Sequence, residues 1–167
     1  RAPSSARLIA SAANGTGGGV SKNNWSIVMD LKLTAPGGFT SLWETDAVGS
    51  GDGDYFINSG SLGIAGQYNG FFDSEAWTRI AVTVDSAATP GVYTLTGYID
   101  GVVAGISTTG TPPGGRQAVK SFLHLFADDD FETSAGLLNS VAYYGSVLSE
   151  SAVGALGGAS AAGIPAG

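Results

Sequence analysis

From Trp25 to Leu33 the large apolar residues fall on alternate positions: Trp25, Ile27, Met29, Leu31 and Leu33 interleave with Ser26, Asp30 and Lys32. A period of two is the alternation of side chains across a β-strand and does not trace a helix face. The same rhythm returns in Ile80, Val82 and Val84 against Arg79, Thr83 and Asp85, and in Tyr93 and Leu95 against Thr94 and Thr96. Such alternation predicts half-buried strands with one solvated face. Shorter runs at Phe39–Trp43, Tyr55–Asn58, Leu62–Ala65, Phe122–Ala127 and Leu138–Tyr144 bring the count to eight or more.

Turn chemistry separates the runs. Asp100-Gly101 between Tyr98-Ile99 and Val102-Val103 is a strong signal for a type I′ hairpin. Asn69-Gly70 and Pro36-Gly37-Gly38 mark further connections, and the 27 glycines, scattered between short apolar runs, fit frequent tight turns. A helical period appears only near the end, where Leu148, Val153 and Leu156 make about two turns, with Ser149 as N-cap and Gly157 as stop. Gly154 interrupts that helix at a cost of about 1 kcal/mol. The pattern predicts an all-β protein, an antiparallel β-sandwich (jelly roll) with a short C-terminal helical turn.

The 167 residues suit one such domain. Residues 1–22 read as an N-terminal strand and a Gly-rich loop of that domain, 23–158 as its core, and the Gly/Ala-rich 159–167 as a C-terminal linker. With no cysteine, disulfides and thiolate metal sites are excluded. A formal charge of −7 argues against nucleic acid and anionic membranes as partners, and suits calcium. No apolar stretch reaches the roughly 18 residues that span a bilayer, so membrane insertion is not expected. A chain that opens at Arg1 without methionine is expected to be a mature or excised part of something longer.

Several segments together resemble a known family. Ala76-Trp77-Thr78-Arg79-Ile80-Ala81, followed by Tyr98-Ile99-Asp100-Gly101, is similar to the hairpin of laminin-G-like (concanavalin A-like) jelly rolls. Phe122-Leu123-His124-Leu125-Phe126-Ala127-Asp128-Asp129-Asp130-Phe131-Glu132, then Val141 to Leu148-Ser149 and Leu156-Gly157-Gly158, resemble the closing segment of a bacterial accessory-module branch. Phe131 departs from that branch, which often has glycine there. The resemblance covers about residues 23–158. It implies a non-catalytic module attached to a secreted or cell-surface protein, often with a structural calcium ion, whose partner is a polysaccharide or glycan, or else a protein. A monomer is expected of the isolated domain.

The acidic cluster Asp128, Asp129, Asp130 and Glu132 is the leading metal candidate, because calcium takes six to eight hard oxygens from flexible loops. A second acidic loop, Asp46 through Asp52-Gly53-Asp54, is positioned to complete it if the sheet brings the two together; Asp46 and Asp54 are the candidate ligands there. The plainer reading is solvated loop carboxylates, although two like charges roughly 4 Å apart repel by about 4 kcal/mol at an effective dielectric of about 20. The spacing is not that of an EF-hand.

Trp43, Tyr55 and Tyr68, with Phe71 and Phe72, are the candidate sugar platforms, and Asn69 and Arg116 the polar partners that would fix hydroxyls. Core packing is the competing role, and to it Trp25 and Trp77 are assigned. Arg79 and Arg116 are suited to bidentate pairing with a carboxylate.

Catalysis is not expected. Related sandwiches host glucanases with two glutamates and an aspartate on one strand. Glu44-Thr45-Asp46 supplies two members, while Val48 and Gly49 stand where the third belongs. His124, the only histidine, lies between Leu123 and Leu125 and is expected as a hydrogen-bonded residue on the sheet's second face. The remaining alternatives are a structural or protein-interaction spacer and, remotely, a concanavalin A-like glycoside hydrolase.

Overall fold

The computed structural model describes residues 8–10, 23–35, 37–45, 52–110, 116–119, 123–126 and 128–165. Eleven strands form two antiparallel sheets. In chain order they are β1 (Leu8–Ala10), β2 (Trp25–Ala35), β3 (Phe39–Glu44), β4 (Tyr55–Asn58), β5 (Ser61–Ile64), β6 (Gln67–Asn69), β7 (Thr78–Thr89), β8 (Val92–Ile99), β9 (Val102–Gly110), β10 (Leu123–Leu125) and β11 (Ala135–Tyr144). A helix, α1 (Glu150–Leu156), follows. One sheet runs β1-β10-β3-β4-β5-β6 and the other β11-β2-β7-β8-β9. This is the expected all-β sandwich with one short terminal helix.

Three of its hairpins close through two-residue loops in which both residues take positive φ: Ser59-Gly60, Ala65-Gly66 and Asp100-Gly101. That is the type I′ geometry, whose twist matches the strands it joins. Only Asp100-Gly101 carries the strong Asx-Gly signature, so β6 and its turn went unread in the sequence.

The core lies between the sheets. The alternating set Trp25, Ile27, Met29, Leu31 and Leu33 meets Leu42, Trp43, Tyr55, Ile57, Leu62, Leu123 and Leu125 of the opposite sheet. Trp43 stacks on Tyr55 with ring centroids 5.1 Å apart and meets Trp25 edge-on at 5.4 Å, the arrangements aromatic quadrupoles favour. A Cβ at Gly97 would stand 2.5 Å from the Tyr55 hydroxyl, so only glycine lets that phenol reach across to β8. Trp77, expected in the core, instead precedes β7, outside the ladder, and is 45% exposed.

The outer face of the five-stranded sheet is not solvated as the alternation implied. Val28, Ala81 and Tyr98 pack there against Val153 of α1, with Leu148, Leu156 and Ile164 around them. Ser149 caps α1 by accepting from Ala152 N, and Gly157 ends it at φ +62, as read from the sequence. Beneath this layer Arg79, 2% exposed, grips Asp30 through two bonds, Nε to Oδ1 at 2.6 Å and Nη2 to Oδ2 at 2.8 Å. Its remaining donors reach the carbonyls of Leu156 and Gly163. The segment read as a linker is therefore docked through residue 164: Asn139 Nδ2 donates to Ser160 O and Gly163 is buried.

Candidate functional site

The six-stranded sheet keeps an open feature at its β6 end, a cleft of about 340 Å³. Parity explains its aromatic wall. Tyr55 and Ile57 point into the core, so Phe56 between them points outward. Phe39 meets both Phe56 and Tyr68 edge-on at 5.8 Å. The opposite wall is charged: Asp52, Arg116, Asp130 and Glu132.

Arg116 holds that wall together. Its Nε donates to Asp54 Oδ1 at 2.7 Å, and Nη2 reaches the carbonyls of Asp52 and Gly53 and lies 3.4 Å from Asp52 Oδ2. Asp54, 2% exposed, also accepts from the backbone N and hydroxyl of Thr45. Burial nevertheless raises its carboxyl pKa above the usual value, against the pull of Thr45 and Arg116. Behind this pair stands Gln117, which no sequence signal singled out. Its backbone carbonyl accepts from the Trp25 indole and its Oε1 from the Trp43 indole, while Nε2 donates to Asp54 O at 2.6 Å. The loop carrying Arg116 is thereby tied to the core.

The acidic loop supplies the rest of the charged wall. Glu132 O accepts from Ser41 N at 2.7 Å, which pins the loop to β3. Carboxylate oxygens of Asp52, Asp128 and Glu132 lie within 4.8 Å of one another, as do those of Asp128, Asp129 and Asp130. Asp128 Oδ2 is buried and accepts no hydrogen bond among the described residues. Burial, then the neighbouring carboxylates, raise the pKa of Glu132, and burial is also the main cause for Asp128. Burial and the charges of Asp52 and Glu132 push the Tyr68 phenol up as well.

Phe131 sits in the middle of this loop with φ +70, where an L-residue loses about 1–2 kcal/mol. The backbone thus takes at this position the form that glycine adopts freely.

Tyr68, Arg116, Asp130 and Glu132 line the cleft, and Asp128 gathers with the acidic residues beside it. Trp43 and Tyr55, 0% and 1% exposed, are core residues stacked on each other and offer no face to a sugar. Asn69, of opposite parity to Tyr68, packs against Gly105 of β9. Asp54, expected as a metal ligand, is committed instead to Thr45 and Arg116, and Asp52 stands in the acidic group in its place. Asp46 lies outside the described residues. Phe72 is buried and Phe71 is 77% exposed. His124, 1% exposed, stands opposite Glu44, itself 1% exposed, across the β10–β3 ladder.

The architecture defines a class, the two-sheet, jelly-roll-like β-sandwich that recurs as a domain of larger proteins. Trypanosoma rangeli sialidase shares it at 16% identity and a TM-score of 0.59, over 86% of this chain and 26% of the sialidase. Domain 4 of AbnA, a GH43 extracellular arabinanase from Geobacillus stearothermophilus solved with arabinotriose, matches at 18% identity and a TM-score of 0.54, over 90% of this chain and 81% of that domain. NanB sialidase from Streptococcus pneumoniae matches at 12% identity and a TM-score of 0.54, over 81% and 24%. The chain thus spans about a quarter of each sialidase. At these identities the likeness is one of fold. No family model matches the chain, and no curated protein matches its sequence.

Proposed function

We propose that this chain is a non-catalytic, laminin-G-like carbohydrate-binding module of a secreted multidomain protein, localising its neighbours on a glycan. The observation that carries this reading is the cleft, where the Phe39–Tyr68 aromatic wall faces Arg116, Asp52, Asp130 and Glu132. A pyranose presents an apolar C–H face and a rim of hydroxyls, and these two walls match the two. Concave sites that set aromatic surface beside fixed polar groups are where small ligands bind. The arabinotriose-bound arabinanase domain and the sialidase domains of similar fold agree with a carbohydrate role.

A structural calcium ion is part of the proposal. Asp52, Asp128 and Glu132 supply three hard oxygens within bridging distance, and the orphaned Asp128 Oδ2 is an acceptor suited to a cation. Calcium there would neutralise the repulsion among the carboxylates and stiffen the loop that forms one wall. The non-catalytic reading is supported by Glu44, the one glutamate of the partial glucanase pattern, which is buried.

A panel of arabinotriose, sialyllactose, xylotriose, cellotriose and chitotriose tests the proposal by calorimetry in millimolar calcium. One or more should bind, and Tyr68→Ala should weaken that binding at least tenfold, about 1.4 kcal/mol. Unchanged binding in Tyr68→Ala would remove the cleft from the account. A second reading, a protein-interaction spacer, is favoured by the apolar edge strand β9, with Val102 71% and Ile106 55% exposed. On that reading the whole panel fails to bind.

A further inference from the structure

Six residues other than glycine take positive φ among those described: Ser59, Ala65, Asp100, Gln117, Phe126 and Phe131. The first three sit in two-residue hairpin loops followed by glycine. Gln117 is buried and held by hydrogen bonds from backbone and side chain, and the Phe126 ring packs against the core. Phe131 has neither kind of support. Its ring is 87% exposed, the most exposed large apolar side chain among the described residues, on a backbone that disfavours bulky groups.

The loop around it is nonetheless well anchored. Glu132 O accepts from Ser41 N, Thr133 N donates to Phe131 O at 2.7 Å, and the Ser134 hydroxyl bonds that of Thr40 at 2.6 Å. Both chain neighbours of Phe131, Asp130 and Glu132, line the cleft. A strained, solvent-exposed aromatic on a fixed loop, between two cleft carboxylates, is the pattern expected where local strain is kept for function. Folding alone gains nothing from it, since glycine would take the same backbone without strain.

We propose that Phe131 is a second sugar-stacking residue at the mouth of the cleft, extending the site beyond the ring seated against Tyr68 to a neighbouring sugar of the same chain. The inference rests on the carbohydrate-binding reading. It makes the site one for oligosaccharides: Tyr68 takes one residue within the cleft, and Phe131 covers the apolar face of the next as the chain leaves. The left-handed backbone sets the direction in which the ring leaves the loop, and the pinned loop keeps that backbone in place in the free protein, so little backbone order has to be gained on binding.

The test uses the full chain and the trisaccharide of the panel that binds it, compared with its monosaccharide. Phe131→Gly should weaken trisaccharide binding about tenfold, leave monosaccharide binding unchanged, and raise the melting temperature, because the strain goes with the ring. Phe131→Tyr should keep trisaccharide binding within about twofold. Full trisaccharide affinity in Phe131→Gly, with loss in Tyr68→Ala, would overturn the role of Phe131 and leave the cleft intact. A lower melting temperature in Phe131→Gly would make the ring structural and equally overturn it. Failure of every saccharide to bind the unaltered chain would overturn the underlying reading and this inference together.

Discussion

Two arginine–aspartate pairs sit on the outer faces of the two sheets, and the contrast between them separates architecture from binding surface. On the five-stranded sheet Arg79 and Asp30 are 2% and 0% exposed, and the guanidinium also takes the carbonyls of Leu156 and Gly163. It holds the helix and the C-terminal segment on the sheet, and they cover this face. On the six-stranded sheet Arg116 is 33% exposed, its partner Asp54 is buried, and three further carboxylates surround it. There the charges are in surplus, and an open aromatic wall stands beside them. Closed hydrogen-bonding makes structure; unbalanced charge next to exposed rings makes a place for something else.

Disturbing the first pair should have the largest effect. Arg79→Ala leaves Asp30 buried without its counter-charge and frees two carbonyls, a loss of about 3–5 kcal/mol measurable by urea unfolding. The folded fraction should bind saccharide as before. Replacing both members with apolar residues, Arg79→Met with Asp30→Leu, should recover most of that loss. If Arg79→Ala unfolds no more easily than the parent, the closed face is not held as described.

Arg116→Ala should separate the two regions more finely. It leaves Asp54 with Thr45 alone, costing about 2 kcal/mol, and it should also weaken saccharide binding, which Arg79→Ala does not. Equal behaviour of the two variants in both assays would erase the contrast.

The smallest effect is that of pH, and its sign is informative. Asp54, Asp128 and Glu132 have pKa values raised above their ordinary 3.8, 3.8 and 4.5. A carboxyl with a raised pKa binds its proton more tightly folded than unfolded, so its contribution to stability grows as pH falls from neutral and levels off below the unfolded values. In chelator, the melting temperature should therefore rise modestly as pH falls from 7 toward the unfolded carboxyl values of about 4. Calcium at a hundredfold over its Kd should add about 2.7 kcal/mol at neutral pH and less on acidification. Asp128→Asn with Glu132→Gln should abolish that addition. Melting at pH 7 that ignores both calcium and chelator would remove the metal from the account.

Much of this contrast was legible in the chain, and the parts that were not have physical reasons. The strict alternation of β2 and the Asp100-Gly101 turn carry their geometry locally, as do the Ser149 and Gly157 caps. The acidic loop was visible because three carboxylates at alternating positions are conspicuous. The covered face was not, since 159–167 has a linker's composition and its Ser160 and Gly163 dock through backbone carbonyls, which any residue supplies. Nor could sequence decide between neighbours: Asp52 rather than Asp54 faces the acidic group, and Trp77 rather than Trp43 is exposed. Those outcomes depend on where a ladder begins and on the bulge between Ser41 and Trp43, neither of which leaves a mark in residue type. Gln117 was silent for the same reason, its role set by four partners distant in sequence.

The most direct test is a titration of isotopically labelled protein with the saccharide panel in calcium, followed residue by residue in amide NMR spectra. Shifts should be confined to the cleft, residues 39, 52–54, 56, 64–69, 109, 116 and 128–132, with Arg79, Leu156 and Gly163 unmoved. Shifts centred on β9 around Val102–Ile106 or on the α1 face, or none with any sugar, would contradict the claim that the open end of the six-stranded sheet is the binding surface.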